Sequence, residues 1–83
     1  MENDKTRYEV IAVCTAHEDQ AEGYADVTRD LEVGTILWAR VGESETRTLN
    51  GHGMEVVRFW INGGTTDYWL PRDVFNLSTK RLT

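Results

Sequence analysis

The chain has one cysteine and two histidines among its 83 residues, and each scarcity argues against a kind of site. A single cysteine cannot form an intramolecular disulfide or a zinc site built from several cysteines. Two histidines give little support for a metal or catalytic centre of imidazole and carboxylate ligands, so we expect no metal and no cofactor. The sequence also lacks a stretch of about 18 apolar residues, which disfavours a membrane-spanning helix.

The beginning of the sequence, Met-Glu-Asn-Asp-Lys, lacks the apolar run of a secretory signal, so we expect a cytoplasmic protein with no membrane attachment. The length favours a single domain over 1–83, with a core at about 7–77 and polar termini at 1–6 and 78–83. A core of this size is near the lower limit for independent stability. A homo-oligomer that buries further apolar surface is therefore compatible with the sequence.

The net charge of −5 comes from one segment. Between His17 and Glu32 there are six carboxylates against one base, whereas the acids and bases of the remaining residues balance. A carboxylate cluster attracts and orients cationic side chains of a partner. The simpler interpretation is a solvated loop that keeps a small protein soluble. A calcium loop is disfavoured, because the Asp-x-Asp-x-Asp-Gly spacing is missing.

The basic residues are scattered singly along the chain, and the isoelectric point is near 4.9. Nonspecific binding to nucleic acid needs lysine and arginine side chains against the phosphates. The sequence therefore predicts no direct nucleic-acid binding.

Short runs of strand-forming residues alternate with turn residues along the chain, which is typical of an all-β domain. Five strands are predicted, at 7–16, 35–41, 55–61, 65–70 and 74–77. The connection over 17–34 is long and acidic. The pattern Thr15 to Glu18, which overlaps the start of this connection, fits a capping box, so a short helical turn within the connection is an alternative.

The two central strands alternate so that one face suits a core. Leu37 and Ala39 share a face of one strand, and Val57 and Phe59 share a face of the next. The tryptophans then fall on the opposite faces and predict a partly exposed aromatic patch, with at least one of them largely buried. The turn between the third and fourth strands is predicted at Asn62-Gly63-Gly64, since these residues tolerate positive φ.

Two segments resemble the Src-homology-3-like (SH3-like) small β-barrel and its Tudor and agenet relatives. Leu31-Glu32-Val33-Gly34-Thr35-Ile36-Leu37 resembles the diverging turn that follows the long first loop. Tyr68-Trp69-Leu70-Pro71-Arg72-Asp73-Val74-Phe75 resembles the segment in which an aromatic residue and a proline precede one turn of 3₁₀ helix. The resemblance implies a single five-stranded antiparallel SH3-like barrel with a long acidic first loop.

The chain departs from the peptide-binding members of that family at the end of its first strand. Those members carry two tyrosines in an Ala-Leu-Tyr-Asp-Tyr motif, where this chain has Ala12-Val13-Cys14-Thr15-Ala16. A polyproline groove loses one wall without those rings. The resemblance thus implies the fold more strongly than it implies recognition of proline-rich peptides.

No pattern in the sequence predicts catalysis. Cys14 and His17 would be a nucleophile and a base, but residues three apart in a strand point to opposite faces, and no motif supplies a third group. A buried thiol is the better interpretation, and the chain is predicted not to be an enzyme.

The predicted function is a non-catalytic protein-interaction module that binds a basic partner surface. The alternatives are a small phage-type inhibitor that imitates nucleic acid with its acidic face, and an accessory subunit of a larger enzyme. The acidic segment would attract the partner and neighbouring apolar residues would anchor it. The predicted partner-binding residues are Glu18, Asp19, Glu22, Asp26, Trp60, Trp69 and Pro71.

Overall fold

The computed structural model of the chain describes residues 5–19, 27–40, 45–49 and 51–82. Within these ranges lie eight strands and one short helix. In chain order they are β1 (Lys5–Val10), β2 (Cys14–Glu18), β3 (Thr28–Leu31), β4 (Ile36–Arg40), β5 (Glu45–Leu49), β6 (His52–Ile61), β7 (Asp67–Pro71), α1 (Arg72–Ser78) and β8 (Thr79–Leu82).

All the strands belong to one antiparallel sheet that curls into a half-barrel. Seven of them follow the order β3-β2-β7-β6-β4-β1-β8, and β5 pairs with β6 beside this path. The ten-residue β6 is long enough to pair with β5 at its beginning and with β4 at its end. The all-β prediction is confirmed, but the prediction of a five-stranded barrel is wrong in its number of strands.

The concave inner face of the sheet carries the core. Leu37 and Ala39 of β4 and Phe59 of β6 are fully buried there, as the alternation predicts. Helix α1 covers this core, because its Phe75 packs edge-on against the ring of Tyr8 at a centroid distance of 4.9 Å. Aromatic packing of this kind adds about 1 kcal/mol beyond the burial of area.

The turn between β6 and β7 forms at the predicted place. Gly63 has a φ of 87°, a left-handed conformation that favours glycine. The amide of Gly64 donates to the carbonyl of Ile61 at 2.8 Å and closes the turn. The chain thereby reverses into β7, which begins at Asp67 instead of the predicted residue 65.

Two predicted strands have a different structure. The run 7–16 is divided between β1 and β2. Thr15 to Glu18 belongs to β2, so no helical turn begins there, and residues 20–26 of the acidic connection lie outside the described residues. Residues 74–77, predicted as a strand, lie within α1. This helix follows Pro71 and carries Asp73 in its first turn, where a carboxylate is favoured by the helix dipole. It ends at Ser78 and is capped by Thr79, whose side chain donates to the carbonyl of Phe75.

Three strands form where the sequence predicts connections or a polar terminus. Strand β5 lies in the predicted connection between the second and third strands, and β8 lies in the terminus predicted at 78–83. In addition, β3 lies in the acidic connection. Among the described residues, the helix is too short to cross a bilayer.

Candidate functional site

The convex outer face of the sheet holds the side chains that alternate with the core residues. On this face three tryptophans and several charged residues come from five different strands. The register places Trp38 directly opposite Trp60, and it places Arg58 directly opposite Trp69. The outer face divides into two parts, which differ in how far their tryptophans are covered.

The first part, termed the closed end, is built around Trp69 and His17. Trp69 is 5% exposed, although it is not part of the core cluster on the inner face. The ring of His17, its neighbour on β2, stacks on it with a centroid distance of 4.3 Å and an interplanar angle of 14°. Val56 of β6 lies on the same face and is fully buried. The closed end is therefore a small second core.

An ion ring of Asp19, Glu45, Arg47 and Arg58 lies beside the closed end. Asp19 pairs with Arg47 at 3.2 Å and with Arg58 at 3.4 Å. Glu45 pairs with the same two guanidinium groups, at 3.3 Å each. The four side chains are partly exposed, so each pair alone contributes little, but a network holds its members with a smaller entropic cost per pair.

The second part, termed the open end, consists of Trp38, Trp60 and the cations Lys5, Arg7 and Arg40. Both indole rings are partly exposed. The guanidinium of Arg7 lies 5.9 Å from the ring centroid of Trp38, and the ammonium of Lys5 lies 5.3 Å from that of Trp60. Both distances fit a cation–π contact.

A hydrogen bond fixes one of these rings. The indole N–H of Trp38 donates to the side-chain oxygen of Asn62 at 2.9 Å. Beside Trp60 is a cleft of about 160 Å³, lined by Arg40, Glu45, Arg58, Trp60 and Asp67. The open end therefore presents oriented aromatic rings, positive charge and a small concavity.

The predicted partner-binding residues are distributed over both ends. Trp60 lies at the open end, whereas Trp69 lies at the closed end. Asp19 belongs to the ion ring. Pro71, the last residue of β7, is partly exposed.

Among the described residues, the structure places none of the other three predicted acids in the open end, the closed end or the ion ring. Glu18 is the partly exposed last residue of β2. Glu22 and Asp26 lie outside the described residues. That these residues bind a partner stays a prediction.

Sequence reasoning missed Lys5, Arg7 and Arg40, which it treated as scattered single bases. The signal that could have found them is the alternation of core and outer-face residues along their strands. Arg40 follows Trp38 by two residues in β4, and Lys5 and Arg7 alternate with the core residue Tyr8 in β1. The pairing of β1 with β4 then brings all three to one face.

The structure does not bring together Cys14 and His17, the candidate nucleophile and base. Cys14 is buried on the inner face, and burial raises the pKa of its thiol, which disfavours the nucleophilic thiolate. His17 lies on the outer face, so the two side chains are separated by the sheet. Within the described parts of the chain, no three histidine, cysteine or acidic side chains come together to hold a metal ion.

Comparisons with known proteins give no relative: no family model matches the chain, and neither the curated proteins nor the solved structures contain a match. The resemblance to SH3-like barrels therefore stays a prediction from the quoted motifs.

Proposed function

We propose that the chain is a non-catalytic protein-interaction module that binds a basic partner surface. The acidic segment supplies the electrostatic attraction, and Trp60 supplies an apolar contact beside it. The SH3-like affiliation remains part of this proposal, as a small β-scaffold that presents the acidic connection between β2 and β3.

The position at which the acidic segment leaves the sheet is the observation that carries the proposal. The backbone amide of Asp19 donates to the carbonyl of Asp67 at 2.9 Å, and Asp67 lies directly opposite Trp60 in the register. The chain therefore enters the segment of highest negative charge next to a partly exposed tryptophan. An acidic group beside an aromatic anchor suits a partner that offers lysine or arginine side chains.

The predicted residues have different parts in the proposed function. Asp19 is held by two arginines of its own chain, so it fixes the start of the acidic segment more than it attracts a partner. Trp69 is covered by His17 and supports the scaffold. We assign the attraction of a partner mainly to Glu22 and Asp26, and Glu18 remains a predicted contact.

The test is binding of a lysine-rich probe peptide to the whole chain, followed by fluorescence anisotropy over a range of salt concentrations. Replacing both Glu22→Gln and Asp26→Asn is expected to weaken binding about tenfold at low salt, with the difference shrinking as salt screens the charges. A matched control, Glu55→Gln with Asp73→Asn, changes the net charge equally in another region and is expected to have less effect. Because Glu55 pairs with Arg72 at 3.2 Å and Asp73 lies in the first turn of α1, circular dichroism is used to confirm that both variants are folded. Equal loss in both variants would show that only total charge matters, and the proposed site would be wrong.

A further inference from the structure

The open end combines residues from three strands that are far apart in the sequence. Lys5 and Arg7 come from β1, Trp38 and Arg40 from β4, and Trp60 from β6. The antiparallel pairing of β1 with β4 and of β4 with β6 brings them onto one continuous surface. Scattered bases in the sequence thus become a basic and aromatic surface in the fold.

The two rings at the open end lie side by side. Trp38 and Trp60 are directly opposite in the register, so their Cβ atoms are about 5 Å apart. Asn62 holds the indole of Trp38 by its hydrogen bond, which leaves less freedom to lose when a ligand stacks on the ring. Adjacent, partly exposed rings offer stacking positions for two planar groups.

The cations of the open end retain their charge for a ligand. Within residues 5–19, 27–40, 45–49 and 51–82, Lys5, Arg7 and Arg40 form no ion pair. Arg47 and Arg58, by contrast, are neutralised in the ion ring. Positive charge around adjacent rings is complementary to a ligand that carries planar groups at regular intervals along an anionic backbone.

We propose that the open end binds single-stranded nucleic acid, with successive bases stacked on Trp38 and Trp60 and the backbone phosphates contacting Lys5, Arg7 and Arg40. Sequence-tolerant binding of single strands uses this combination of aromatic stacking and cationic side chains. The cleft beside Trp60 adds Asp67, whose carboxylate can accept a hydrogen bond from an exocyclic amino group. The inference goes beyond the proposed function, since the ligand is anionic and not a basic protein.

The net charge of the chain does not prevent this interaction. At ordinary ionic strength, charges further than about 10 Å apart are largely screened. The local surface therefore decides the contact at ordinary ionic strength, while repulsion from the acidic remainder lowers affinity and offsets part of the salt dependence that the cations create. We expect binding to be detectable at low salt and weak at physiological salt.

The test uses a fluorescein-labelled oligodeoxycytidylate, whose bases carry the exocyclic amino group from which Asp67 would accept. Anisotropy measures affinity, and tryptophan quenching measures stacking. Trp38→Ala and Trp60→Ala are each expected to weaken binding at least about fivefold, as loss of one stacked base predicts. Trp60→Phe retains a ring and is expected to restore part of the affinity. If the oligonucleotide fails to bind at low salt, or binds equally after both alanine substitutions, the proposal is wrong.

Substitutions of the cations provide a second test of the site, which does not depend on the tryptophan variants being folded. Arg7→Gln and Arg40→Gln are exposed substitutions, and each is expected to reduce the slope of log affinity against log salt by about 0.7. Arg81→Gln makes the same charge change at an exposed residue that is opposite Tyr8 in the register, on the other face of the sheet from these rings, and is expected to leave the slope nearly unchanged. Equal effects of all three would indicate a response to net charge alone and would overturn the site.

Two further measurements separate this inference from other interpretations. Oligoglutamate is expected not to compete, because it cannot stack; equal competition would identify a general polyanion surface and overturn the proposal. The Glu22→Gln and Asp26→Asn variant is expected to bind the oligonucleotide at least as tightly as the unchanged chain, while it binds the lysine-rich peptide more weakly. The result that would contradict the proposed binding of a basic partner therefore differs from the result that would contradict binding of single-stranded nucleic acid.

Discussion

Trp69 and Trp60 lie on neighbouring strands and on the same outer face of the sheet, yet their surroundings differ. Trp69 is 5% exposed, whereas Trp60 is partly exposed. Trp69 has Arg58 on one side and His17 stacked on the other, and Trp60 has Trp38 and Asp67. The difference shows that the cross-strand neighbours decide whether an outer-face aromatic residue becomes core or surface.

The strand β5 contributes to the same difference. It pairs with the first half of β6 and brings Glu45 and Arg47 toward Arg58, which completes the ion ring beside the closed end. The described residues include no comparable strand next to the open end, where β6 pairs with β4. The closed end therefore stabilises the fold, and the open end is the part available to a ligand.

The largest expected effect contrasts the two tryptophans directly. Trp69→Ala should lower the free energy of unfolding by about 3–5 kcal/mol, because a buried aromatic ring is replaced by a cavity. Trp60→Ala should lower it by about 1 kcal/mol, since its ring is partly in water already. Urea denaturation followed by circular dichroism measures both. Equal losses would mean that the two ends do not differ in their contribution to the fold.

A second, smaller effect concerns the cover of Trp69. His17→Ala removes the stacked ring and should cost about 1–2 kcal/mol. His17→Phe keeps a ring and removes Nδ1, a buried atom with no hydrogen-bond partner in the described parts of the structure, so its stability should equal or exceed that of the unchanged chain. Thermal unfolding compares the two variants. A phenylalanine variant as unstable as the alanine variant would contradict stacking as the role of His17.

The core face of the central strands and the turn at Gly63 can be predicted from the sequence, because each depends on residues that are close together in the chain. Alternation places Leu37 and Phe59 in the core and the tryptophans on the other face. The turn at Gly63 requires only a residue that accepts positive φ. Such features depend on backbone geometry within a few residues, and sequence reasoning predicts them correctly.

Features that depend on distant residues were not predictable in the same way. Residues 74–77 resemble a strand by composition, but packing of Phe75 on Tyr8 and Phe59 stabilises a helix. The burial of Trp69 depends on His17, which is far from it in sequence. The open end depends likewise on the pairing of β1 with β4, and no single strand contains its pattern.

A third prediction tests whether the ion ring acts as a network. In a double-mutant cycle of Asp19→Asn and Arg58→Gln, the coupling energy should be about 0.5–1 kcal/mol at low salt and smaller at high salt, because the groups are partly exposed. Arg40→Gln at the open end should leave stability nearly unchanged, as Arg40 forms no ion pair within the described residues. A cost for Arg40→Gln as large as that for Arg58→Gln would remove this distinction between the ends.

The smallest expected effect concerns the orientation of Trp38. Asn62→Ala removes the acceptor for the indole N–H, and since this hydrogen bond is exposed, the loss of stability should be about 0.5 kcal/mol. The indole proton of Trp38 should then exchange faster with solvent, as measured by nuclear magnetic resonance, while that of Trp69 stays unchanged. Affinity for the oligonucleotide should fall by less than in Trp38→Ala, because the ring remains but is less well oriented. If Asn62→Ala accelerated exchange at Trp69 as well, the open and closed ends would be coupled parts of one unit.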